Sequence, residues 1–104
     1  MTDTLDLTHW IGGEKIAGAF EGESLNPSDT CDVVARTPKG GVVEVDQAVQ
    51  AARAAFPGWS DASPEFRFDV LDKAGALVME RAAQIGRLLA REEGKTLPEG
   101  IGET

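Results

Sequence analysis

The longest regular pattern of hydrophobic and polar positions in this chain lies between Ser63 and Gly94. Ser63 can cap a helix N-terminus, Pro64 suits the first helical position, and Gly94 sits where a helix favours positive φ. Gly75 inside the run costs about 1 kcal/mol against alanine, which predicts close packing there. The pattern predicts a long helical run, broken in its middle, with apolar residues every three or four positions: Phe66, Val70, Ala74, Leu77, Val78, then Ile85, Leu88 and Leu89.

A second helical stripe precedes this run. Glu44 and Asp46 lie in its first turn, where negative charge is favourable. Pro57 and Gly58 are predicted to end the helix, because proline lacks the N–H that would continue it, and Trp59 is placed in the following loop. Both stripes are narrow and rich in alanine, so we expect these helices to pack on something larger. The second stripe consists of Val45, Ala48, Val49, Ala52 and Phe56.

The N-terminal part of the chain is typical of β-structure. Leu7–Ile11 and Glu14–Ala17 flank two glycines, Gly12 and Gly13. Short β-prone segments around such a pair predict a tight hairpin, because both turn positions need positive φ.

A single strand is predicted after the hairpin. Gly18–Ser24 is interpreted as a connection of small residues, and Leu25–Asp29 as a turn. Cys31–Arg36 then has the β-branched centre of a strand, and Pro38–Gly41 ends it. The predicted order is a hairpin, a strand and three or more helices, which is an α/β fold.

Composition narrows the classes of function. The chain has 104 residues, enough for one small domain, and a net charge of −8. Nucleic acid is not an expected partner, because phosphate binding needs clustered Lys and Arg. No apolar run approaches the roughly 20 residues that span a membrane, and no signal peptide is visible. Cys31 is the only cysteine, so no internal disulfide is possible, and a cytoplasmic location is expected.

The C-terminal residues begin a new helix at Leu97 and Pro98, yet the sequence stops at Thr104. Domains usually end after an element and not in its first turn. We therefore expect residues 1–104 to be the N-terminal part of a longer protein, although a frayed tail would look similar.

Two residues are candidates for nucleophilic or metal chemistry. Cys31 would need a base or a helix N-terminus to activate its thiol, but it lies in a predicted strand. His9 has no Cys, Asp or His at ligand spacing. We expect Cys31 to be a half-buried structural residue and His9 to be a surface residue at the start of the hairpin.

Glu92 and Glu93 are adjacent acids near a predicted helix end. Neighbouring helical positions point about 100° apart, so these carboxylates would not converge on one substrate atom. They are interpreted as solvated charges or as partners of Arg91 or Lys95.

The glycines do not form a phosphate-binding motif. Gly12 with Gly13, and Gly40 with Gly41, lack the surroundings of a dinucleotide or P-loop motif, and positions 100 and 102 give only a G-x-G fragment. They are interpreted as turn glycines. Trp10 and Trp59 could stack a ligand, although packing is the simpler use.

In their order, these segments resemble the N-terminal segment of the aldehyde dehydrogenase superfamily. Trp10-Ile11-Gly12-Gly13-Glu14 looks like the opening hairpin, and Asn26-Pro27-Ser28 and Val33-Val34 follow. Ala51-Ala52-Arg53-Ala54-Ala55-Phe56, with Trp59, is similar to the family's first helix. The segment Glu92–Glu103 looks most like the α-ketoglutarate semialdehyde (2,5-dioxovalerate) dehydrogenases, with succinate-semialdehyde and other aldehyde dehydrogenases as close rivals.

The resemblance implies an aldehyde dehydrogenase fold, in which residues 1–104 are the N-terminal part of the NAD(P)-binding domain and their helices pack on its Rossmann-like core. It also implies an enzyme that oxidises an aldehyde with NAD⁺ or NADP⁺. In the family a cysteine thiolate attacks the aldehyde, and a glutamate-activated water releases the acid. Those residues lie beyond the matched region, and Cys31 does not match the catalytic cysteine. The resemblance therefore implies no catalytic, cofactor-binding or committed metal residue among the 104. It also implies a parent protein that forms a homodimer or homotetramer.

A weaker implication concerns a structural monovalent cation, which some family members hold. Ser24, Leu25 and Glu92 match the positions that supply its backbone carbonyls and its acid.

A different class of function also remains open from the residues themselves. The chain could be a complete small acidic domain that binds another protein through its helical stripes.

Overall fold

The computed structural model of the protein describes residues 3–104. Within them, the strands are β1 (Leu5–Asp6), β2 (His9–Ile11), β3 (Glu14–Ile16), β4 (Phe20–Asn26) and β5 (Asp29–Pro38). The helices are α1 (Val42–Ser60), α2 (Pro64–Glu80), α3 (Ala82–Glu93) and α4 (Leu97–Gly102). The elements confirm the predicted α/β class and its order.

These residues divide into two compact units. The first unit comprises the described residues up to Ser24 together with Ala35–Ala62, so it holds the hairpin and α1. The second unit comprises Leu25–Val34 and Ser63–Thr104, so it holds α2, α3 and α4.

The β2–β3 hairpin of the first unit confirms the predicted turn. Its strands pair antiparallel, with Trp10 opposite Lys15, whose ammonium nitrogen lies 5.3 Å from the centre of the indole ring. Gly12 and Gly13 have φ values of 62° and 81°. Side chains rarely adopt that region, so both positions need glycine.

A three-stranded sheet has the order β1-β5-β4. The strand predicted at Cys31–Arg36 is confirmed within the longer β5, but the prediction that Gly18–Ser24 is only a connection is wrong, because β4 begins at Phe20. The guanidinium of Arg36 lies 4.8 Å from the Phe20 ring centre, and the Thr37 hydroxyl donates to a β4 carbonyl at 3.1 Å. These contacts across the sheet outweigh the weak strand preference of a glycine- and glutamate-rich segment.

Helix α1 begins where the sequence predicts but extends further. The prediction that it ends at Pro57 is wrong, because the helix continues to Ser60 and includes Trp59. Proline at position 57 removes one N–H from the helix, but its carbonyl still accepts the N–H of Asp61 at 3.0 Å. The proline sits in the last turn, where losing one hydrogen bond leaves the rest of the helix intact.

The long helical run of the second unit is confirmed, including its break. Helix α2 gives way to α3 at Arg81, and Gly94 ends α3 with a φ of 75°. The Ser63 hydroxyl accepts the N–H of Phe66 at 3.1 Å, as expected of an N-cap. The predicted close packing at Gly75 is wrong for this chain, since a Cβ there would meet nothing within 4 Å.

Little apolar surface is buried in the part of the chain that the structure describes. Val34 and Ala35 are the buried hydrophobic residues of residues 3–104. Helices α1 and α2 contain no buried residue, and Phe56 is 66 % exposed. Their apolar stripes thus face outward. No helix in residues 3–104 is long and apolar enough to cross a membrane.

Candidate functional site

The best-connected polar side chains of the second unit form an ion-pair cluster of Asp32, Arg91 and Asn26. The Nε of Arg91 donates to one Asp32 carboxylate oxygen at 2.8 Å, and its Nη2 donates to the other at 2.5 Å. The same Nη2 donates to the Val33 carbonyl at 3.0 Å, and the Asn26 amide donates to Asp32 at 3.1 Å. The cluster joins the start of β5 to the last turn of α3.

A closed turn places Asp32 in this cluster. The Asn26 side-chain oxygen accepts the N–H of Ser28 at 2.9 Å, and the Asp29 carboxylate accepts the N–H of Cys31 at 3.1 Å. Side-chain acceptors of this kind stabilise tight turns. The turn predicted at Leu25–Asp29 is confirmed at its centre, residues 27–28, while its outer residues belong to β4 and β5.

The Asn-Pro turn also packs against the end of α3. A Cβ at Gly94 would lie 3.1 Å from the Pro27 Cβ, closer than most such contacts. The segments Asn26-Pro27-Ser28 and Glu92–Glu103, both part of the family resemblance, thus meet in the second unit.

The electrostatics of the cluster favour its charged form. Hydrogen bonds from Arg91 and then Asn26 lower the pKa of Asp32 from 3.8 to about 2. The Arg91 side chain is only 11 % exposed and that of Asp32 is 24 % exposed. A carboxylate held ionised by a bidentate guanidinium is a poor proton carrier, so the cluster is suited to holding two elements together.

Glu92 and Glu93, the adjacent acids near the end of α3, do not act as a pair. Glu93 pairs with Lys95 at 2.7 Å, which confirms one of the two expectations for it. Lys95 also pairs with Glu103 at 2.6 Å, and these carboxylates, Glu103 first, raise the pKa of the lysine. Arg91 forms an ion pair with Asp32 of β5.

Cys31 and His9 lie in the strands where the sequence predicts them. Cys31 lies on β5 with an exposed side chain, so the expectation of half-burial is wrong. His9 begins β2 with a partly exposed side chain, and its Nε2 lies 3.0 Å from the Lys39 carbonyl oxygen.

The predicted cation positions lie in β4 and at the end of α3. Ser24 and Leu25 belong to β4, and Glu92 is exposed in the last turn of α3. Among residues 3–104, no group of three or more His, Cys, Asp or Glu side chains could hold a metal ion. A site built mainly from backbone carbonyls remains a prediction.

Helix N-termini are the usual place for a dinucleotide phosphate, and at the starts of α1 and α4 a glutamate carboxylate binds the backbone N–H groups instead. The Glu44 carboxylate accepts the N–H of Gly41 at 2.8 Å at the start of α1. At the start of α4, Glu99 accepts from the N–H and the hydroxyl of Thr96 at 3.1 and 2.7 Å. These bonds lower the pKa of both glutamates, that of Glu44 chiefly through Gly41 and that of Glu99 chiefly through the Thr96 hydroxyl. A phosphate would meet negative charge at either end.

The other helix starts do not fit a dinucleotide either. Helix α2 is capped by Ser63, and α3 continues directly from α2 at Arg81. The interpretation of position 100 as a turn glycine is wrong, because Gly100 is buried inside α4. The residues that the structure describes therefore do not match the NAD⁺ or NADP⁺ that the resemblance implies for the parent protein.

Comparison with known proteins supplies the identity that the geometry leaves open. The sequence model of the aldehyde dehydrogenase family matches residues 15–104. A 1-pyrroline-5-carboxylate dehydrogenase of Anoxybacillus flavithermus is 37 % identical over 94 residues, 90 % of this chain and 18 % of that protein. A 2-aminomuconic semialdehyde dehydrogenase of Bos taurus is 37 % identical over 93 residues, 89 % of this chain and 19 % of that protein.

A malonate-semialdehyde dehydrogenase of Pseudomonas aeruginosa is 36 % identical over 98 residues, 93 % of this chain and 20 % of that protein. The chain thus spans about a fifth of the length of the curated relatives it matches. The family match covers most of the chain, including the helices and the ion-pair cluster. The chain belongs to the aldehyde dehydrogenase family.

Proposed function

We propose that the complete protein oxidises a semialdehyde to the corresponding carboxylic acid, with NAD⁺ or NADP⁺ as the hydride acceptor. The family match over residues 15–104 carries this proposal. The names of the relatives support the class of substrate, since two of the three compared above are semialdehyde dehydrogenases.

The substrate we propose is α-ketoglutarate semialdehyde. The names of the three relatives all denote compounds that carry a carboxylic acid: a pyrroline carboxylate, aminomuconic semialdehyde and malonate semialdehyde. α-Ketoglutarate semialdehyde belongs to the same chemical class. The resemblance of Glu92–Glu103 to dehydrogenases of that substrate selects it within the class. Succinate semialdehyde is the first alternative.

The chain itself has a structural role in this proposal. Among the residues that the structure describes, Asp32 and Arg91 form a bidentate ion pair, and side chains accept backbone N–H groups at the starts of α1, α2 and α4. From the family resemblance, we propose that the nucleophile and the cofactor site belong to other parts of the protein. From the family resemblance we also propose a homodimeric or homotetrameric assembly and a cytoplasmic location.

The test of the proposed function is an assay of the complete protein, purified without added aldehyde. Reduction of NAD⁺ and of NADP⁺ is followed with α-ketoglutarate semialdehyde, succinate semialdehyde, malonate semialdehyde and an alkyl aldehyde without a carboxylate. We expect the highest kcat/KM with α-ketoglutarate semialdehyde. A preference for the uncharged aldehyde would contradict the proposed class, and a preference for another semialdehyde would contradict only the named substrate.

The 104-residue chain alone is expected to produce no NADH or NADPH with any of these aldehydes. The physical reason is that its cysteine is an exposed strand residue and that glutamates at the starts of α1 and α4 repel a phosphate. Purified chain and its Cys31→Ser variant are assayed side by side. Turnover that disappears in the Cys31→Ser variant would show that this cysteine is catalytic and would contradict the expectation.

The Asp32–Arg91 ion pair is expected to stabilise the complete protein in a pH-dependent way. The pKa of Asp32 is lowered in the folded state, so its contribution is present above pH 3.8 and is lost as the pH falls towards about 2. The Asp32→Asn variant should thus be less stable than the natural protein at about pH 6, and the difference should shrink at about pH 3.

Urea denaturation at both pH values checks this expectation. Asp69→Asn is the matched control, because Asp69 is an exposed acid on α2 and lies outside the cluster. The control variant should be close to the natural protein at both pH values. A stability difference for Asp32→Asn that stays constant with pH would contradict the role given to the ion pair.

A further inference from the structure

No further inference is drawn: the strongest candidate, the alanine-lined groove between the β2–β3 hairpin and α1 with Trp10 at its rim, is an unpartnered apolar face, and nothing in the structure shows what covers it.

Discussion

Replacing Gly86 by alanine is expected to destabilise the complete protein strongly, because it would force α3 and α4 apart. Gly86 is buried, and a Cβ at this position would lie 2.5 Å from the Cα of Ile101 and 2.7 Å from its nitrogen. Both neighbours are backbone atoms of α4, so no side-chain rotation can relieve the clash. Overpacking of this kind typically costs about 1–3 kcal/mol.

Gly100 makes the same contact from the other helix. A Cβ there would clash with the Gly86 carbonyl oxygen and would lie 3.1 Å from the Ala90 Cβ. Alanine at position 100 should thus be as harmful as alanine at position 86. Because both residues sit at a single crossing, the double variant should cost less than the sum of the single variants.

Gly75→Ala is the matched control for both variants. Gly75 is also a glycine inside a helix, but a Cβ there would meet nothing within 4 Å of this chain. Within the chain, alanine should stabilise α2 by about 0.5–1 kcal/mol through helix propensity alone. Urea denaturation of the complete protein compares the three variants. Equal stability of Gly86→Ala and the natural protein would show that α3 and α4 are not in this close contact.

The second large effect concerns the chain in isolation, which is expected to be marginally stable. Helices α1 and α2 have no buried residue, and large apolar side chains such as Val45, Phe56 and Phe68 are more than half exposed. Burying a Leu or Phe side chain is worth about 1.5–3 kcal/mol, whereas ordering each backbone residue costs about 1–2 kcal/mol. In the isolated chain, we expect the helices to bury too little apolar surface to offset the conformational entropy that is lost when they form.

In a complete aldehyde dehydrogenase, other parts of the protein would cover the exposed apolar stripes of this chain. A relative about five times longer has ample chain to cover them. Exposed patches of this extent favour association in a separated piece. We therefore expect the isolated chain to be partly helical and either molten or self-associated.

The sequence predicted the elements with strong local signals. The N-cap at Ser63, the left-handed Gly94 and the Gly-Gly turn were all predictable because each depends on a few neighbouring residues. It failed where distant contacts decide the outcome. Strand β4, which is held by residues of β5, is such a case. The predicted end of α1 is wrong for a local reason, because a proline near the end of a helix removes only one hydrogen bond.

The ion-pair cluster could not be predicted from the sequence, because it also depends on a contact between distant residues. Asp32 and Arg91 are 59 positions apart, and no local pattern links them. Arg91 has two acids directly after it, which made a local pair the simpler interpretation. The sequence also did not predict the close contact at Gly86, because the need for glycine inside a helix depends on which helix packs against it. Gly86 and Gly100 lie too far apart in the sequence to form a local motif.

We propose that the exposed helical faces of this chain are covered by other parts of a longer aldehyde dehydrogenase. Calorimetry combined with light scattering on the 104-residue chain is the decisive measurement. We expect no sharp heat absorption, and either a molten monomer or soluble oligomers that form through the exposed stripes. A monomer with one cooperative transition above about 50 °C, as in an intact mesophilic domain, would contradict it and favour a complete small interaction domain.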